Sequence, residues 1–462
     1  MKDLNVENRS SRLDAHYYDT RYFDMINKIS EMGKQGGMPL LKLDNLLKPT
    51  KTNLTGGATP RGAVYLTEGI RFVRVQNVKE NKIEFGKAVF IERRVHEGQL
   101  RRSKLKPKDV LLTITGSYGI AAVVPDDAGE ANINQHNVKM EINDTLVDQY
   151  YLSHFINSKL CRTQMDRSAT GSTRLALSYP AIRSLLVLFP ADISMQKEIA
   201  RQISEMYRSA YAKLDEKNRL LNMLDEIVIQ KTGIILPNEY SKTCFYTDIQ
   251  NTKRLDALSK SPYLHDLREC IKKTPYDTLE NLVTFPKSSS PDFSDYYRLV
   301  DLRKVEEKTG RVKITEVDNL GSNKIVLRKG TICINCLNPE KAKTIFVNEE
   351  LDGCAASTEF TPIEILQDSV ETNYLIAVLR SKVVVDQWKY QITGSTPSRE
   401  RIGETELRMT LIPKPDRDIQ KEIGRNVMDA ISKITGLEHA SQREIEDAKR
   451  LFLERLNSFS QD

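Results

Sequence analysis

The chain has 462 residues, of which 39% are hydrophobic and 29% are charged. This length suffices for at least two hydrophobic cores, and the composition excludes a largely disordered or collagen-like chain. The 69 Lys and Arg residues exceed the 63 Asp and Glu residues by six, a mild excess that fits nucleic acid and a neutral partner about equally. The sequence has no apolar run of transmembrane length and no secretory segment at its start. We therefore expect a cytoplasmic protein whose six cysteines are free thiols.

The first half of the chain alternates short β-branched and aromatic runs with Gly, Pro and Asn, as in RFVRVQNV, AVFI, DVLLTITG, NVKMEI and SLLVLF. This alternation predicts a mixed sheet with small helices around it. After Pro190, apolar residues recur at spacings of three and four between Ile199 and Val228, flanked by Glu, Lys and Arg. The narrow stripe predicts a long helix of the coiled-coil type.

The second half of the chain repeats the first. Five segments return in the same order, at 12–15 and 254–257, 70–78 and 297–305, 105–114 and 326–335, 171–173 and 394–396, and 196–199 and 420–423. Such self-similarity predicts two copies of one α+β fold, each a mixed-sheet domain followed by a long helix. The predicted boundaries are 1–190 for the first domain, 191–236 for its helix, 237–413 for the second domain and 414–462 for its helix.

The second helix carries a matching apolar stripe, from Ile423 to Phe452, and Thr435-Gly436 is a candidate break within it. A lone helix with a narrow apolar stripe would leave that stripe in water. Each helix could instead pack on its own domain, but two stripes of equal length favour packing against each other.

Motifs of catalysis are missing from the sequence. It contains no Walker A loop, no strand followed by GxGxxG, no HExxH and no GxSxG, so we predict a non-catalytic protein. Cys333, Cys336 and Cys354 could be zinc ligands, but without an evident fourth ligand we favour core thiols and no metal. The polar cluster from Asn134 to Asn137 could contact base edges or form a polar turn.

Residues 86–109 account for five of the six excess positive charges, with eight Lys and Arg residues against three carboxylates. Long cationic side chains at this density could neutralise several phosphates of a nucleic acid. The alternative is a solvated charged loop.

The segments GGATPRG, IRFVRVQNV, DVLLTITGSYG, INQHNVKMEI, GSTRLALSYPAIRSLLVLFP and MQKEIA together resemble the specificity subunits of type I restriction–modification systems. The resemblance covers nearly the whole chain. It implies two target-recognition domains that each recognise one half of a split DNA sequence, and two long helices that pair as an antiparallel coiled coil. It also implies two methyltransferase subunits and a motor–nuclease subunit as partners. S-adenosylmethionine and ATP would belong to those partners, so no cofactor is expected in this chain.

The resemblance also suggests DNA-contacting residues, chosen for side chains that bind base edges or phosphates. These are Thr59, Arg61, Arg71, Arg74, Arg93, Arg94, Arg101, Arg102, Ser117, Tyr118 and Arg174 in the first domain, and Arg298, Arg303, Arg399 and Arg401 in the second. Strand alternation places Arg71 and Arg74 on opposite faces, so at most one should face DNA. The second copy has TFPKSSSPDFSDYYRLV where the first has GGATPRGAVYLTEGIRFV, which leaves open the loops of the second domain that contact DNA.

Three other functions remain open from the sequence. The chain could be an assembly scaffold that does not recognise DNA, or an enzyme that modifies DNA on its own. It could also be the specificity subunit of a methylase-only system or of a related phage-defence complex.

Overall fold

The computed structural model describes residues 15–62, 64–171, 174–238, 258–292, 294–394, 396 and 399–459. The repeated segments at 12–14, 172–173, 254–257 and 395 lie outside the described residues. The chain forms two compact units, unit 1 with Met1–Ala212 and Ala440–Asp462, and unit 2 with Lys213–His439. The division falls within the two long helices, so each unit holds one half of each helix. The domain boundaries predicted at 190, 236 and 413 stay a prediction.

Unit 1 begins with the elements of the first sequence copy. Its helices and strands up to the first long helix are α1 (Thr20–Gln35), β1 (Leu40–Lys42), β2 (Leu54–Gly56), β3 (Ile70–Val73), β4 (Val78–Lys79), β5 (Lys82–Ile83), β6 (Val89–Ile91), α2 (Arg93–Glu97), β7 (Val110–Thr113), β8 (Ala121–Val123), β9 (Ala131–Ile133), β10 (Asn137–Met140), α3 (Gln149–Asn157), α4 (Lys159–Ser168), α5 (Tyr179–Arg183) and β11 (Leu186–Leu188).

The strands of unit 1 form two main sheets. One is antiparallel with the order β2-β10-β7-β8, and the other has the order β6-β3-β9, in which β3 and β9 pair in parallel. The largest core cluster joins the antiparallel sheet and α3 to the ends of both long helices, through side chains such as Ile203 and Phe452. The long helices are therefore an integral part of the unit 1 core.

Unit 2 contains the corresponding elements of the second copy. They are α7 (Pro262–Lys272), β12 (Tyr276–Thr278), α8 (Leu279–Leu282), β13 (Val283–Thr284), β14 (Tyr297–Val300), β15 (Thr315–Val317), β16 (Lys324–Val326), β17 (Ile332–Asn335), β18 (Ile345–Phe346), β19 (Ala355–Ser357), β20 (Phe360–Ile365), α9 (Thr372–Arg380), α10 (Lys382–Lys389), α11 (Glu404–Arg408) and β21 (Leu411–Pro413).

The sheets of unit 2 repeat those of unit 1. The order β13-β20-β17-β18 matches β2-β10-β7-β8, and the parallel pair β14 and β19 matches β3 and β9. The difference is β16, which adds a fourth strand beside β19. This correspondence confirms the predicted duplicated α+β fold.

The two long helices are α6 (Ile193–Thr232) and α12 (Arg417–Ser458). In unit 2, Lys231 Nζ lies 2.7 Å from Glu422 of α12, and Lys217 forms an ion pair with Glu438. Residues later in α6 therefore pair with residues earlier in α12, so the two helices are antiparallel. In unit 1 their other halves are also in contact. None of the helices in the described residues has the length and apolar character needed to cross a membrane.

The break expected at Thr435-Gly436 was wrong, because α12 continues through both residues. The Thr435 hydroxyl donates to the Ile431 carbonyl over 2.9 Å, and the neighbouring Ile434 is fully buried. Glycine within a helix costs about 1 kcal/mol, whereas burying an isoleucine side chain contributes about 1.5–3 kcal/mol. Packing therefore outweighs the weak helix propensity at this point.

Candidate nucleic-acid interface

The loop that follows β2 is packed tightly against the turn between β9 and β10. The Gly57 N–H donates to the Asn137 carbonyl over 3.1 Å. A Cβ added to Gly57 would lie 2.1 Å from the Ile133 carbonyl oxygen, closer than side chains approach. Glycine is required here because only a residue without Cβ allows this approach.

Two contacts join this loop to neighbouring segments of unit 1. The exposed Thr59 hydroxyl donates to the Gln135 side-chain carbonyl, and the Arg61 N–H donates to the Gln99 side-chain carbonyl over 3.0 Å. We call residues 57–62, 99–102 and 134–136 the loop surface of unit 1. It unites three segments that are distant in sequence.

In the polar cluster from Asn134 to Asn137, some side chains form a turn and others are accessible to a nucleic acid. Asn134 and Asn137 are buried, and the Asn137 amide donates to the Asn134 side-chain carbonyl over 2.9 Å. These two asparagines form the turn between β9 and β10. Gln135 is exposed and His136 half-buried, with 3.1 Å between Gln135 Nε2 and His136 Nε2. Gln135 is therefore the member of the cluster that a nucleic acid could reach.

The basic segment of unit 1 contains paired and unpaired cations. Arg93 Nη2 lies 2.7 Å from Glu130, and this hydrogen bond lowers the pKa of the Glu130 carboxyl. Arg94 pairs with Glu92. Four other cations of the segment are exposed, and their side chains have no hydrogen bond or ion pair within the described residues: Arg101, Arg102, Lys106 and Lys108.

Arg71 and Arg74 are half-buried. Arg71 Nη1 donates to the Ala128 carbonyl over 2.8 Å. Arg74 follows β3 instead of lying in it, because its N–H bonds to the Asn77 side chain and starts a short 3₁₀ turn. Its guanidinium lies 5.8 Å from the Tyr65 ring centre. The prediction that Arg71 and Arg74 lie on opposite faces of one strand was wrong, because the strand ends at Val73.

Tyr118 is buried, with 7% of its surface exposed. Its hydroxyl donates to Asp166 over 2.8 Å and the Arg162 guanidinium covers its ring, while burial raises its pKa to about 12. Tyr118 is therefore not a DNA-contacting residue, because its buried side chain is out of reach of DNA. Ser117 is exposed, as is Arg174, whose loop is closed by paired hydrogen bonds between Thr170 and Ala176.

The four candidate arginines of unit 2 differ in whether their side chains have a protein partner. Arg298 donates to the Glu350 carbonyl, Arg303 lies 2.6 Å from Asp301, and Arg401 lies 2.6 Å from Glu359. Arg399 is exposed, and its side chain has no partner in the part of the chain that the structure describes. Arg399 and Arg401 lie in the loop that starts at Gly394, the counterpart of the Arg174 loop.

Cys333 and Cys336 do not converge on a metal site. Cys333 packs into one core cluster and Cys336 packs against another. Burial raises the pKa of Cys333 to about 12, which disfavours the thiolate that binds zinc. The five cysteines among the described residues are free thiols. His96, Glu97 and Glu130 approach one another, but Lys104 and Arg93 already pair with the two carboxylates.

Two copies of one α+β fold, each containing half of two antiparallel helices, define the structural class of this protein. No protein-family model matches the chain. Over 175 residues, 38% of its length, it is 23% identical to the type I restriction enzyme EcoBI specificity subunit of Escherichia coli. The match spans 35% of that subunit, about a third of its length. This similarity confirms the resemblance predicted from the sequence.

Two solved structures align with most of this chain at low sequence identity. The S subunit of a type I restriction–modification system from M. genitalium aligns with a TM-score of 0.48 and 12% identity, over 91% of this chain and 96% of that one. The HsdS subunit from Thermoanaerobacter tengcongensis aligns with a TM-score of 0.33 and 14% identity, over 92% of this chain and 96% of that one.

Proposed function

We propose that this chain is the non-catalytic specificity subunit of a type I restriction–modification system. It would recognise a split DNA sequence and direct adenine methylation, and restriction, by partner subunits. The observation that carries the proposal is the loop surface of unit 1. There Gln135 is held beside Thr59. Arg101 and Arg102, which have no side-chain partner among the described residues, lie two and three residues after Gln99.

This arrangement suits the chemistry of sequence recognition. An amide side chain such as Gln135 can donate to and accept from one base edge, with adenine its usual partner. Arginines without a protein partner can neutralise phosphates and set the position of the domain on the duplex. The proposed DNA-contacting set in unit 1 is Thr59, Arg61, Arg101, Arg102, Ser117, Gln135 and Arg174, with Arg93 and Arg94 at its margin.

The duplication supports a target in two halves. Each unit would recognise one half-site, and the rigid helices would hold the halves at a fixed separation. Two such domains multiply their selectivity, and targets with another separation are disfavoured because both domains cannot bind them at once. In unit 2 we propose Arg399 as the leading contact, with Arg298, Arg303 and Arg401 as further candidates.

The partners would be two methyltransferase subunits and a motor–nuclease subunit. These subunits would bind S-adenosylmethionine and ATP, and this chain would supply the target sequence and a docking platform. A scaffold that does not recognise DNA gives no reason for a loop surface that contains an exposed glutamine and two arginines without a partner among the described residues.

Sequencing of methylated adenines in the source cells, with and without the gene for this chain, tests the proposal. We expect one motif with two short defined halves and a constant gap, which disappears on deletion. A continuous motif, or methylation that is unchanged by deletion, contradicts the proposal. Equal affinity of the partner-bound protein for all duplexes would support the scaffold.

A further inference from the structure

A hairpin turn in unit 1 contacts both long helices. The turn between β4 and β5 places the Glu80 carboxylate 2.7 Å from Lys449 Nζ on α12. On α6, the Tyr207 hydroxyl donates to the same carboxylate over 3.1 Å, and the Tyr211 hydroxyl donates to the Glu80 carbonyl over 2.8 Å. The turn is therefore fixed to the helices by one ion pair and two hydrogen bonds.

Unit 2 has a corresponding turn, between Val305 and Val312. Asn81 in the first turn and Lys308 in the second both have a positive φ, of 59° and 62°. Their N–H groups donate to the carbonyls of Ala121 and Ala342. These shared features identify the two turns as equivalent elements of the repeat.

The contact of the second turn has the opposite polarity. Lys308 Nζ lies 2.7 Å from the Asp225 carboxylate on α6. The same carboxylate also accepts from the Lys382 N–H over 2.7 Å. The turn therefore carries the cation in unit 2 and the carboxylate in unit 1.

The two helix positions are also equivalent. Asp225 and Lys449 are 224 residues apart, the same distance that separates Gln196 from Gln420 in the repeated QKEI segment. Each turn therefore meets the same point of the repeat, on the helix of the other sequence copy. A half-exposed ion pair adds little stability, but complementary charges select a partner because like charges in contact are disfavoured.

We propose that Glu80, Lys449, Lys308 and Asp225 are positioning residues that fix the orientation of each recognition domain on the helices. Glu80 would be repelled by the Asp225 position, and Lys308 by the Lys449 position, so each turn accepts only one of the two docking points. The inference rests on the proposed function, because a fixed orientation is needed to recognise two half-sites at one gap.

Four full-length proteins with the same net charge test the proposal. They are the wild type, the turn exchange (Glu80→Lys with Lys308→Glu), the helix exchange (Asp225→Lys with Lys449→Asp), and all four substitutions together. The two exchanges place like charges in contact in both units, while the fourfold variant restores attraction with reversed polarity. Unchanged net charge keeps non-specific attraction to DNA constant.

The measurements are the methylome of cells that carry each protein and amide hydrogen exchange at the two turns. For each exchange we expect faster exchange at both turns and about a fivefold or greater rise in methylation at targets whose gap differs by one base pair. Both half-sites stay unchanged, and the fourfold variant regains the wild-type gap. Wild-type gap selectivity in both exchanges, or no recovery in the fourfold variant, overturns the proposal.

A variant that does not accumulate is replaced by Glu80→Gln with Lys308→Gln, which removes attraction without adding repulsion and again keeps the net charge. Relaxed gap selectivity in this variant supports the proposal, and wild-type selectivity overturns it. If the wild type itself gives no bipartite motif, the proposed function fails, while hydrogen exchange at the turns still reports whether the contacts depend on charge.

Discussion

Unit 1 and unit 2 share one fold but differ beside their parallel strand pair. In unit 1 the chain after α2 forms an exposed basic segment, which reaches β9 through a bridge between Lys104 and Asn132. In unit 2 the same region is β16, which pairs with β19 along three residues. The duplication therefore preserves the core of the sheet, while the edge of the sheet can carry either an exposed basic segment or another strand.

The interiors of the two units differ as well. In unit 1, Lys139 is 3% exposed and lies 3.3 Å from Asp109 and 3.2 Å from Glu141. Lys139 pairs with Leu111 across the sheet, and the equivalent pair in unit 2 is Pro362 and Cys333. Unit 2 therefore builds the same sheet without a charge at this position. Buried charges of this kind are not a requirement of the fold.

Lys139→Met is the substitution with the largest expected effect. It leaves Asp109 buried without its cation, and removal of one partner of a buried pair costs about 3–5 kcal/mol. We expect a loss of this size in the free energy of unfolding of unit 1, measured by urea denaturation at pH 7. Pro362→Ala in unit 2 is the matched control, with a loss below about 1 kcal/mol. Equal losses for both would show that the charge is immaterial.

The same variant has a defined pH dependence. Burial raises the pKa of Asp109, so the folded protein binds this proton more readily than the unfolded chain. Protonated Asp109 therefore stabilises the folded protein fully at pH values below its pKa in the unfolded chain. This stabilisation is lost as the pH rises through the pKa of Asp109 in the folded protein. The deficit of Lys139→Met should therefore be smaller near pH 4.5 than at pH 7. A deficit that grows on acidification would contradict the assignment to Asp109.

Gln196→Ala is expected to have the next largest effect. The Gln196 side-chain carbonyl accepts from the Asp148 N–H over 2.8 Å, and Gln420 accepts from the Glu371 N–H over 3.0 Å. Loss of the acceptor leaves a buried N–H unpaired, at a cost of about 1–3 kcal/mol in the free energy of unfolding. Gln420→Ala should cost the same in unit 2, and Lys197→Ala, on the exposed side of α6, should cost little. Thermal unfolding of the three variants checks this order.

The duplication and both long helices were predictable because they depend on local patterns. The ordered repeat gave the shared fold, and apolar spacing gave a helix over 191–236 that the structure has at Ile193–Thr232. The contacts of individual side chains were not predictable from local patterns. Tyr118 follows a Gly-Ser pair typical of exposed loops, but Arg162, 44 residues later, covers its ring.

Residues that matter through distant partners also escaped sequence reasoning. Gln196 was visible as part of a repeated segment, and its repetition was the available signal, but its partner Asp148 is 48 residues away. Gln135 was recognised within a polar cluster, whereas its contact with Thr59 depends on the close approach that Gly57 allows. The spacing of apolar residues predicts which face of a helix or strand is buried, but it does not predict which side chains contact each other on that face.

Arg101→Ala with Arg102→Ala tests the basic segment that distinguishes unit 1. Each phosphate contact contributes about 0.9 to the slope of log K against log salt concentration, so the double variant should flatten this slope by about two. Binding should weaken across all duplexes, with both half-sites of the target unchanged. Electrophoretic shifts at several salt concentrations measure it. Lys272→Ala with Lys273→Ala, an adjacent exposed pair in α7 and just after it, is the control and should leave the slope intact.

Arg93→Ala with Arg94→Ala is expected to have the smallest effect on DNA binding. The two arginines are exposed, as is Arg101, but they pair with Glu130 and Glu92. A phosphate contact would therefore first require these ion pairs to break. Their loss also frees two carboxylates near the duplex, which adds a modest repulsion. We expect a slope change below one unit and an affinity loss several times smaller than that of the Arg101 and Arg102 variant. Addition of Glu92→Gln and Glu130→Gln should then restore most of the lost affinity, because it removes the freed negative charge. A slope change of two from Arg93 and Arg94 alone would instead show that these residues leave their carboxylates and bind phosphate directly.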